Sequence, residues 1–319
     1  MRTEVRGQRA EVRMRSPRFA RWMALFAVLL AAGCASPPAP QFTDADWVSA
    51  STTGRNAYER GDYRRAAVAY DRAEQRARAL DDAEALALSA VNRATCLLAA
   101  GQAADARKGL AEALADERIS PARRAELLVA AARVEAALGK SDEAVARATE
   151  ALERAPSPAL RAQALLAKSG AELAKEDPAA ATKTLAGMST KEWQRLPASL
   201  QAEQTDLRAR IAVAEKQPAA AMTLQDEAAQ LWKQAGRLPE MARALAEAGR
   251  QAQAAGDLAG AADRFYRAAR SLGAQGLQPE ALHVLEEGVS CAEQIDDEAV
   301  AMKMAGLLVT FRDEQRLGK

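Results

Sequence analysis

The chain has 319 residues, with 44 Lys and Arg against 43 Asp and Glu, one His, three Cys and 81 Ala. The balanced charge argues against a nucleic-acid partner held by a basic face, and one His without a Cys cluster excludes most metal sites and catalytic triads. Abundant Ala with few aromatic residues favours closely packed helices, because Ala loses no side-chain entropy in a helix. We therefore predict an all-α protein that is not an enzyme and holds no metal or cofactor.

The N-terminal 33 residues are predicted to be a targeting segment. Seven Arg precede an apolar run over residues 22–32, which leads through Gly33 to Cys34. Eleven apolar residues are too few to cross a bilayer, which takes about 20, so the run is typical of a signal peptide. Residues 29–34 (LLAAGC) resemble the lipobox of bacterial lipoproteins, although Ala31 stands where Leu is commonest. This resemblance implies that Cys34 is acylated on sulfur and becomes the mature N-terminus; ordinary secretion is the alternative, and Met14 is an alternative start.

Membrane attachment is expected to depend on the acyl chains of Cys34. Without residues 1–33 the chain has a formal net charge of −4 and no polybasic patch. Two or more acyl chains suffice for stable anchoring. The lipoprotein resemblance also implies the outer membrane, facing the periplasm, because Ala35 rather than Asp follows the cysteine. Residues 34–43, rich in Ala, Ser and Pro, are predicted to be an extended tether.

A sequence motif that starts with glycine recurs at Gly61, Gly101, Gly139 and Gly256. Weaker copies of it predict turns at residues 176, 216 and 296. The steps between turns are 37 to 40 residues, and small and large residues follow each turn at fixed spacing. The pattern resembles the tetratricopeptide repeat, in which two helices meet at a Gly-containing turn. The residues that carry it are Gly54, Gly61, Tyr63, Ala66, Tyr70, Ala73, Gly101, Ala106, Leu110, Gly139, Ala144, Gly249, Gly256, Ala261, Phe265 and Ala268.

Prolines support the same helix boundaries. Proline is favoured in the first helical turn, where its missing N–H costs nothing. Seven prolines precede Ala-rich amphipathic runs, namely Pro121, Pro158, Pro178, Pro197, Pro218, Pro239 and Pro279. We predict a right-handed superhelical α-solenoid of seven antiparallel helix pairs over residues 44–316, with an extra turn near residues 189–195 and a tail at 317–319. Cys96 and Cys291 lie five pairs apart, too far for a disulfide, which needs Cα atoms within about 7 Å.

Stacked helix pairs usually bind partners on the concave side, which the first helix of each pair lines. In the families that the chain resembles, two positions of each first helix face this groove. At one of these positions, four of the seven repeats of this chain have Arg. The predicted partner-binding residues are Arg55, Tyr58, Leu98, Arg133, Leu173, Arg210, Val213 and Arg250. They would suit an extended or helical segment with acidic groups. The alternative is a solvated face on which these arginines pair with Glu135, Asp206 or Glu247.

The function that these features predict is a scaffold or adaptor for another envelope protein or peptide segment. By architecture and lipobox the chain resembles the repeat lipoproteins of outer-membrane assembly, the pilotins of pilus secretins and the regulators of peptidoglycan enzymes. An alternative is a regulator of peptidoglycan or exopolysaccharide machinery that contacts the glycan or the enzyme directly. Glycan binding would require aromatic residues along one face, and only ten Phe, Trp and Tyr follow Cys34.

Overall fold

The computed structural model describes the backbone of residues 42–317 and the side chains through residue 313. The predicted signal peptide, Cys34 and most of the tether lie outside the described residues, as does the end of the tail. The described part contains fifteen α-helices and no strands. Helices α1 to α8 are Ala45–Glu59, Tyr63–Ala79, Ala83–Ala99, Ala103–Ala115, Pro121–Ala137, Ser141–Arg154, Pro158–Ala174 and Pro178–Leu185. Helices α9 to α15 are Thr190–Trp193, Ala198–Ala214, Pro218–Gln234, Leu238–Ala254, Leu258–Ala274, Gln278–Gln294 and Glu298–Leu317.

Fourteen of these helices form seven consecutive antiparallel pairs. The first helices of the pairs are α1, α3, α5, α7, α10, α12 and α14, and each packs against the second helix that follows it. The short helix α9 lies between the fourth and fifth pairs, at the predicted extra turn. The predicted all-α solenoid of seven helix pairs is therefore confirmed.

Each pair turns at a residue with positive φ. The four glycines of the repeat, Gly61, Gly101, Gly139 and Gly256, have φ between 74° and 85°. The weaker copies place Glu176, Lys216 and Asp296 at the same point, with φ of 61°, 61° and 53°. This left-handed conformation suits glycine and costs an L side chain roughly 1–2 kcal/mol. The turn geometry therefore persists where the glycine does not.

Capping side chains stand at three of the helix starts that prolines predicted. The side chains of Ser120, Ser157 and Asp177 accept hydrogen bonds from backbone N–H groups three residues later, over 2.9 to 3.3 Å. Such caps satisfy N–H groups that have no partner within the helix. The next residue in each case is a proline at the first helical position. Pro197 differs slightly, because it is the residue before α10 rather than within it.

Small residues let the two helices of a pair approach closely. A Cβ at Gly54 would lie 2.8 Å from the ring of Tyr70, and one at Gly249 would lie 2.9 Å from the ring of Phe265. Both contacts are too short for a methyl group, so the aromatic ring of each second helix fills the space left by the glycine of its first helix. Core alanines on these second helices, such as Ala73 and Ala268, are completely buried.

Neighbouring pairs are joined by apolar contacts and by ion pairs, one of which has a carboxylate that is fully buried. Glu74 of α2 is inaccessible to solvent and accepts a hydrogen bond from Arg93 of α3 over 2.9 Å. Burial raises the pKa of Glu74, and Arg93 opposes this by favouring the charged carboxylate. Cys96 and Cys291 are both buried and unbridged, as expected. Burial raises the pKa of the Cys96 thiol to about 12, so this cysteine is unreactive.

The first pair also contacts the sixth pair. The Arg243 guanidinium of α12 donates to the Tyr63 hydroxyl over 2.8 Å, and the Arg237 guanidinium lies 4.5 Å from the centre of the Tyr58 ring. A Cβ at Gly61 would lie 3.5 Å from Leu277, in the loop that follows α13. We call Tyr58, Gly61, Tyr63, Arg237 and Arg243 the clasp. Tyr63 is half-buried and faces α12 because it is the first residue of α2, beside the turn.

Candidate functional site

Two adjoining cavities lie along the first helices of the third, fourth and fifth pairs. One has a volume of about 400 Å³ and is bordered by α5, α7, α10 and the side chain of Trp232. The other, of about 540 Å³, is bordered by the ends of α7 and α10 together with Glu247. Arg210 lines both cavities. We call the surface formed by the two cavities the groove.

Arg210 presents an available guanidinium in the groove. Its side chain is exposed, and within residues 42–313 it forms no ion pair or hydrogen bond. Glu203 and Asp206 lie seven and four residues earlier on α10, so all three point to one side of the helix. Arg210 is therefore the groove arginine that is free to bind a partner.

Two other arginines of the predicted row are already paired. Arg133 of α5 donates to Glu203 of α10 over 2.7 Å, and so crosses the intervening helix α7. Gly170 of α7 lines the same cavity as Arg133 and Glu203. Arg250 donates to Glu287 through two nitrogens, each at 2.9 Å, and to Glu247 at 2.9 Å. Arg133 thus links the first helices of the third and fifth pairs, and Arg250 links those of the sixth and seventh.

The groove holds more acidic groups than the arginine pattern suggested. Four carboxylates line it, Glu176, Glu203, Asp206 and Glu247, against the guanidiniums of Arg133 and Arg210. Burial raises the pKa of Asp206, while the Gln225 amide, which donates to it over 3.0 Å, and the nearby Arg210 lower it. The surface therefore offers both signs of charge beside apolar side chains, rather than a positive stripe.

The structure brings together some of the predicted partner-binding residues. Leu173, Arg210 and Val213 line one cavity, and Arg133 lines the other. Arg55 is exposed and Leu98 is half-buried, both outside the two cavities. The Tyr58 ring lies under Arg237 in the clasp. The predicted solvated-face pairing holds for Arg250 with Glu247, whereas Glu135 binds Arg107 instead.

The opposite side of α10 borders a separate cavity of about 550 Å³. It opens next to α9, and its walls include Gln204, Arg208 and Trp193. Two faces of α10 therefore border different cavities. A residue on the opposite face can serve as the control for a groove residue on the same helix.

The remaining candidate chemistry is sparse. His283, Glu286 and Glu287 are close together on α14 and are the side chains to consider for a metal ion. His283 lies 3.4 Å from Glu287, whereas Glu286 forms an ion pair with Arg312 over 2.8 Å. The described residues contain no group of three or more His, Cys, Asp or Glu side chains placed to hold a metal ion. Among the helices that the structure describes, none is long and apolar enough to cross a membrane.

Comparison with solved structures places this arrangement among known folds. The chain superposes on the crystal structure of a Rap protein complexed with Competence and Sporulation Factor with a TM-score of 0.54, at 15% identity over 88% of this chain and 78% of that one. The chain folds as a solenoid of tetratricopeptide-like repeats.

Two further structures have related folds. The apo form of RapI gives a TM-score of 0.56, at 10% identity over 84% of this chain and 77% of that one. The APC/C hetero-tetramer Cut9-Hcn1 gives 0.50, at 13% identity over 92% of this chain and 52% of that one. At such identities the likeness extends to the fold alone. No protein-family model matches the chain, and no curated protein matches it in sequence.

Sequence patterns missed part of the groove in this tetratricopeptide-like solenoid. The spacing of Glu203, Asp206 and Arg210 on one helix is a signal that could have placed the two carboxylates there. Trp232 belongs to the second helix of the fifth pair, and nothing in its local sequence indicates that it reaches a cavity lined by first helices.

Proposed function

We propose that the protein is a lipid-anchored scaffold, facing the periplasm, that binds another envelope protein through the groove. The observation that carries this proposal is the exposed Arg210 at the junction of two cavities, beside Leu173 and Val213. A guanidinium with five donors and adjacent apolar side chains can hold a polypeptide segment by both polar and hydrophobic contacts. The protein then acts by binding, not by catalysis.

The proposed lipid anchor and periplasmic location rest on the N-terminal targeting segment and the residues that follow it. Residues 29–34 (LLAAGC) provide the lipobox, and Ala35 favours the outer membrane. Acylation of Cys34 would hold the repeats close to the membrane and restrict their search for partners to its surface.

The mixed charge of the groove defines the partner more closely. Since Arg133 and Arg250 already hold carboxylates, a purely acidic segment would meet Glu203, Asp206 and Glu247 as repulsive neighbours. We propose a segment that places one acidic group against Arg210 and apolar side chains against Leu173 and Val213. The similar Rap structure is complexed with Competence and Sporulation Factor, which supports binding of a protein or peptide by this fold.

Direct contact with glycan is less well supported. Sugar binding favours aromatic rings that are free to stack, whereas Trp47 and Trp193 are buried and the Tyr58 and Tyr63 rings contact arginines. The half-buried Tyr266 ring likewise contacts Lys303 and Arg270.

The test compares two charge reversals on one helix. Arg210→Glu changes the groove, and Arg208→Glu changes the opposite face of α10. Partners are crosslinked in the envelope and identified by affinity purification of each variant and of the unmodified protein. We expect Arg210→Glu to lose at least one partner that Arg208→Glu keeps, with helicity unchanged in both. Identical partner lists would refute binding through the groove.

A further inference from the structure

The second helix of the first pair, α2, presents a basic surface. Its outward side chains are all exposed and are spaced three, four and seven residues apart, so they lie on one side of the helix; they are Arg64, Arg65, Val68 and Arg72. Val68, at the centre, is 56% exposed. Within the described residues the three guanidiniums form no ion pair or hydrogen bond. We call these four residues the α2 face.

The acidic side chains near α2 do not pair with this face. Asp71 and Glu74 both form ion pairs with Arg93 of α3, over 3.2 and 2.9 Å. Asp62, just before the helix, accepts a hydrogen bond from the backbone N–H of Arg65 and not from its guanidinium. The α2 face therefore keeps three unpaired positive charges, although the chain without residues 1–33 has a net charge of −4.

The other pairs do not repeat this charge pattern. The α2 face occupies the positions three, four, seven and eleven residues after the turn at Gly61. These four positions carry a formal charge of +3 in the first pair, and of −1, −3, +1, −1, 0 and +1 in the six pairs that follow. The positive surface is therefore a property of the first pair and not of the repeat.

The chain that leads to the proposed lipid anchor ends beside the α2 face. Asp44, which precedes α1, accepts hydrogen bonds from two nitrogens of Arg76, over 3.0 and 2.7 Å. Arg76 lies about one helical turn after Arg72 on α2. Only residues 34–43 follow the targeting segment before Asp44, and ten residues span at most about 36 Å. With Cys34 acylated, the first pair is held within this distance of the bilayer.

We propose that the α2 face lies against an anionic phospholipid surface and so orients the anchored solenoid. The proposal rests on the proposed lipid anchor, which supplies the attachment. A basic side chain near an anionic bilayer strengthens binding roughly fivefold, and this attraction fades within a Debye length. Three arginines therefore favour one orientation of a protein that is already anchored, but they do not replace the acyl chains.

The N-terminal part of the same chain is a poor alternative occupant of the α2 face. Residues 34–43 contain no acidic side chain, and residues 1–33 carry seven Arg against two Glu. Neither segment has the negative charge that would complement three guanidiniums. The α2 face also borders neither cavity of the groove, so membrane contact and partner binding can be tested separately.

The test measures which part of the acylated protein lies nearest to the lipid. A fluorophore is attached at Val68→Cys or, as a control, at Thr223→Cys, the equivalent exposed position on α11. Cys96 and Cys291 are buried and do not compete for the label. Each protein is bound to phosphatidylcholine vesicles that contain a headgroup quencher, with and without phosphatidylglycerol. We expect phosphatidylglycerol to increase the quenching at residue 68 severalfold and high salt to reverse this, with little change at residue 223.

Two double charge reversals show whether the arginines are the cause. Arg64→Glu with Arg72→Glu should remove the added quenching at residue 68. Arg195→Glu with Arg208→Glu changes the net charge equally at exposed sites outside the α2 face and should leave the quenching unchanged. All variants should keep their helicity.

Three results would overturn the proposal: equal quenching at residues 68 and 223, quenching at residue 68 that needs no phosphatidylglycerol, or equal loss in both double variants. Failure of the acyl anchor is visible separately, as a protein that does not bind vesicles of phosphatidylcholine alone. In that case binding to the anionic vesicles, with quenching at residue 68, would still support the α2 face, and binding to neither kind of vesicle would refute it.

Discussion

The hydroxyl of Tyr63 accepts a hydrogen bond from the guanidinium of Arg243, which lies 2.8 Å away and 180 residues later in the chain. The other nitrogens of Arg243 donate to both carboxylate oxygens of Glu280, each over 2.8 Å, and this fixes the orientation of the guanidinium. Burial and the neighbouring Glu240 raise the pKa of Tyr63, so the hydroxyl remains protonated at neutral pH. The first and sixth helix pairs are thus held together across the whole intervening array.

We expect the clasp to keep the first and sixth pairs at one separation. Spin labels at Arg60 and Ala274, both exposed, should give a short and narrow distance distribution. Replacing both rings, by Tyr58→Ala and Tyr63→Ala, removes the hydrogen bond and two cation–π contacts, which are worth roughly 0.5–1 kcal/mol each when exposed. The distribution should then become longer and broader, with little change in circular dichroism.

A matched control is Tyr266→Ala, whose ring faces Lys303 and Arg270 rather than the first pair. This variant should keep the narrow distribution. If the clasp variant also keeps it, the contacts of Tyr58 and Tyr63 do not hold the two pairs together.

Replacing Lys216, at the turn of the fifth pair, by glycine should stabilise the protein. This residue has φ of 61°, a conformation that costs an L side chain about 1 kcal/mol or more and glycine almost nothing. Lys216→Gly should therefore raise the free energy of unfolding by about 1 kcal/mol, less the entropy that glycine adds to the unfolded chain. Lys216→Ala keeps the Cβ and should give no comparable gain in denaturant unfolding. Equal gains from both substitutions would show that the lysine side chain, and not the backbone, carries the cost.

Acid should weaken the start of the first helix. Asp44 caps α1 and binds Arg76 through both carboxylate oxygens, at 3.0 and 2.7 Å. The hydrogen bond from Arg76 and the backbone N–H of Trp47 lower the pKa of Asp44 from 3.8 to about 2. A carboxyl group whose pKa is lowered by folding stabilises the folded state at pH values above its unfolded pKa of 3.8. This contribution is lost as the pH falls through about 2.

The measurement is denaturant unfolding between neutral and acidic pH. Asp44→Asn keeps a capping side chain but cannot ionise, so the stability difference between the two proteins should shrink as the pH falls below 3.8. A difference that stays constant across this range would mean that the charge of Asp44 does not contribute.

Much of the fold could be predicted because its signals are local. Gly61 and its counterparts mark turns by their conformational freedom, and Ser120 with Pro121 marks a helix start within two residues. Contacts between distant pairs leave no such signal. Arg133 reaches Glu203 across one entire pair, and Tyr63 meets Arg243 across four pairs, so neither partner could be chosen from spacing alone. The arginine row and Glu247 were visible in the sequence, but the pairing of Arg133 with Glu203 and of Arg250 with Glu287 was not.

Membrane attachment can be tested at one residue. Cys34→Ser removes the sulfur that acylation requires, so labelling with a fatty-acid analogue should disappear and the protein should move to the soluble fraction. Cys96→Ser, at a buried site, should leave both labelling and fractionation unchanged if the variant folds. Membrane retention of Cys34→Ser would show that another feature anchors the protein.

Binding through the groove can be tested by capturing a partner from inside it. Val213 is 42% exposed and lines the cavity beside Arg210, whereas Gln204 lies on the same helix but borders the opposite cavity. A photoreactive amino acid is placed at each position in turn and activated in the intact envelope. We expect a crosslinked envelope protein from Val213 that is absent from Gln204 and lost in the Arg210→Glu background. Crosslinking from Gln204 alone, or crosslinking from Val213 that Arg210→Glu leaves unchanged, would contradict binding through the groove.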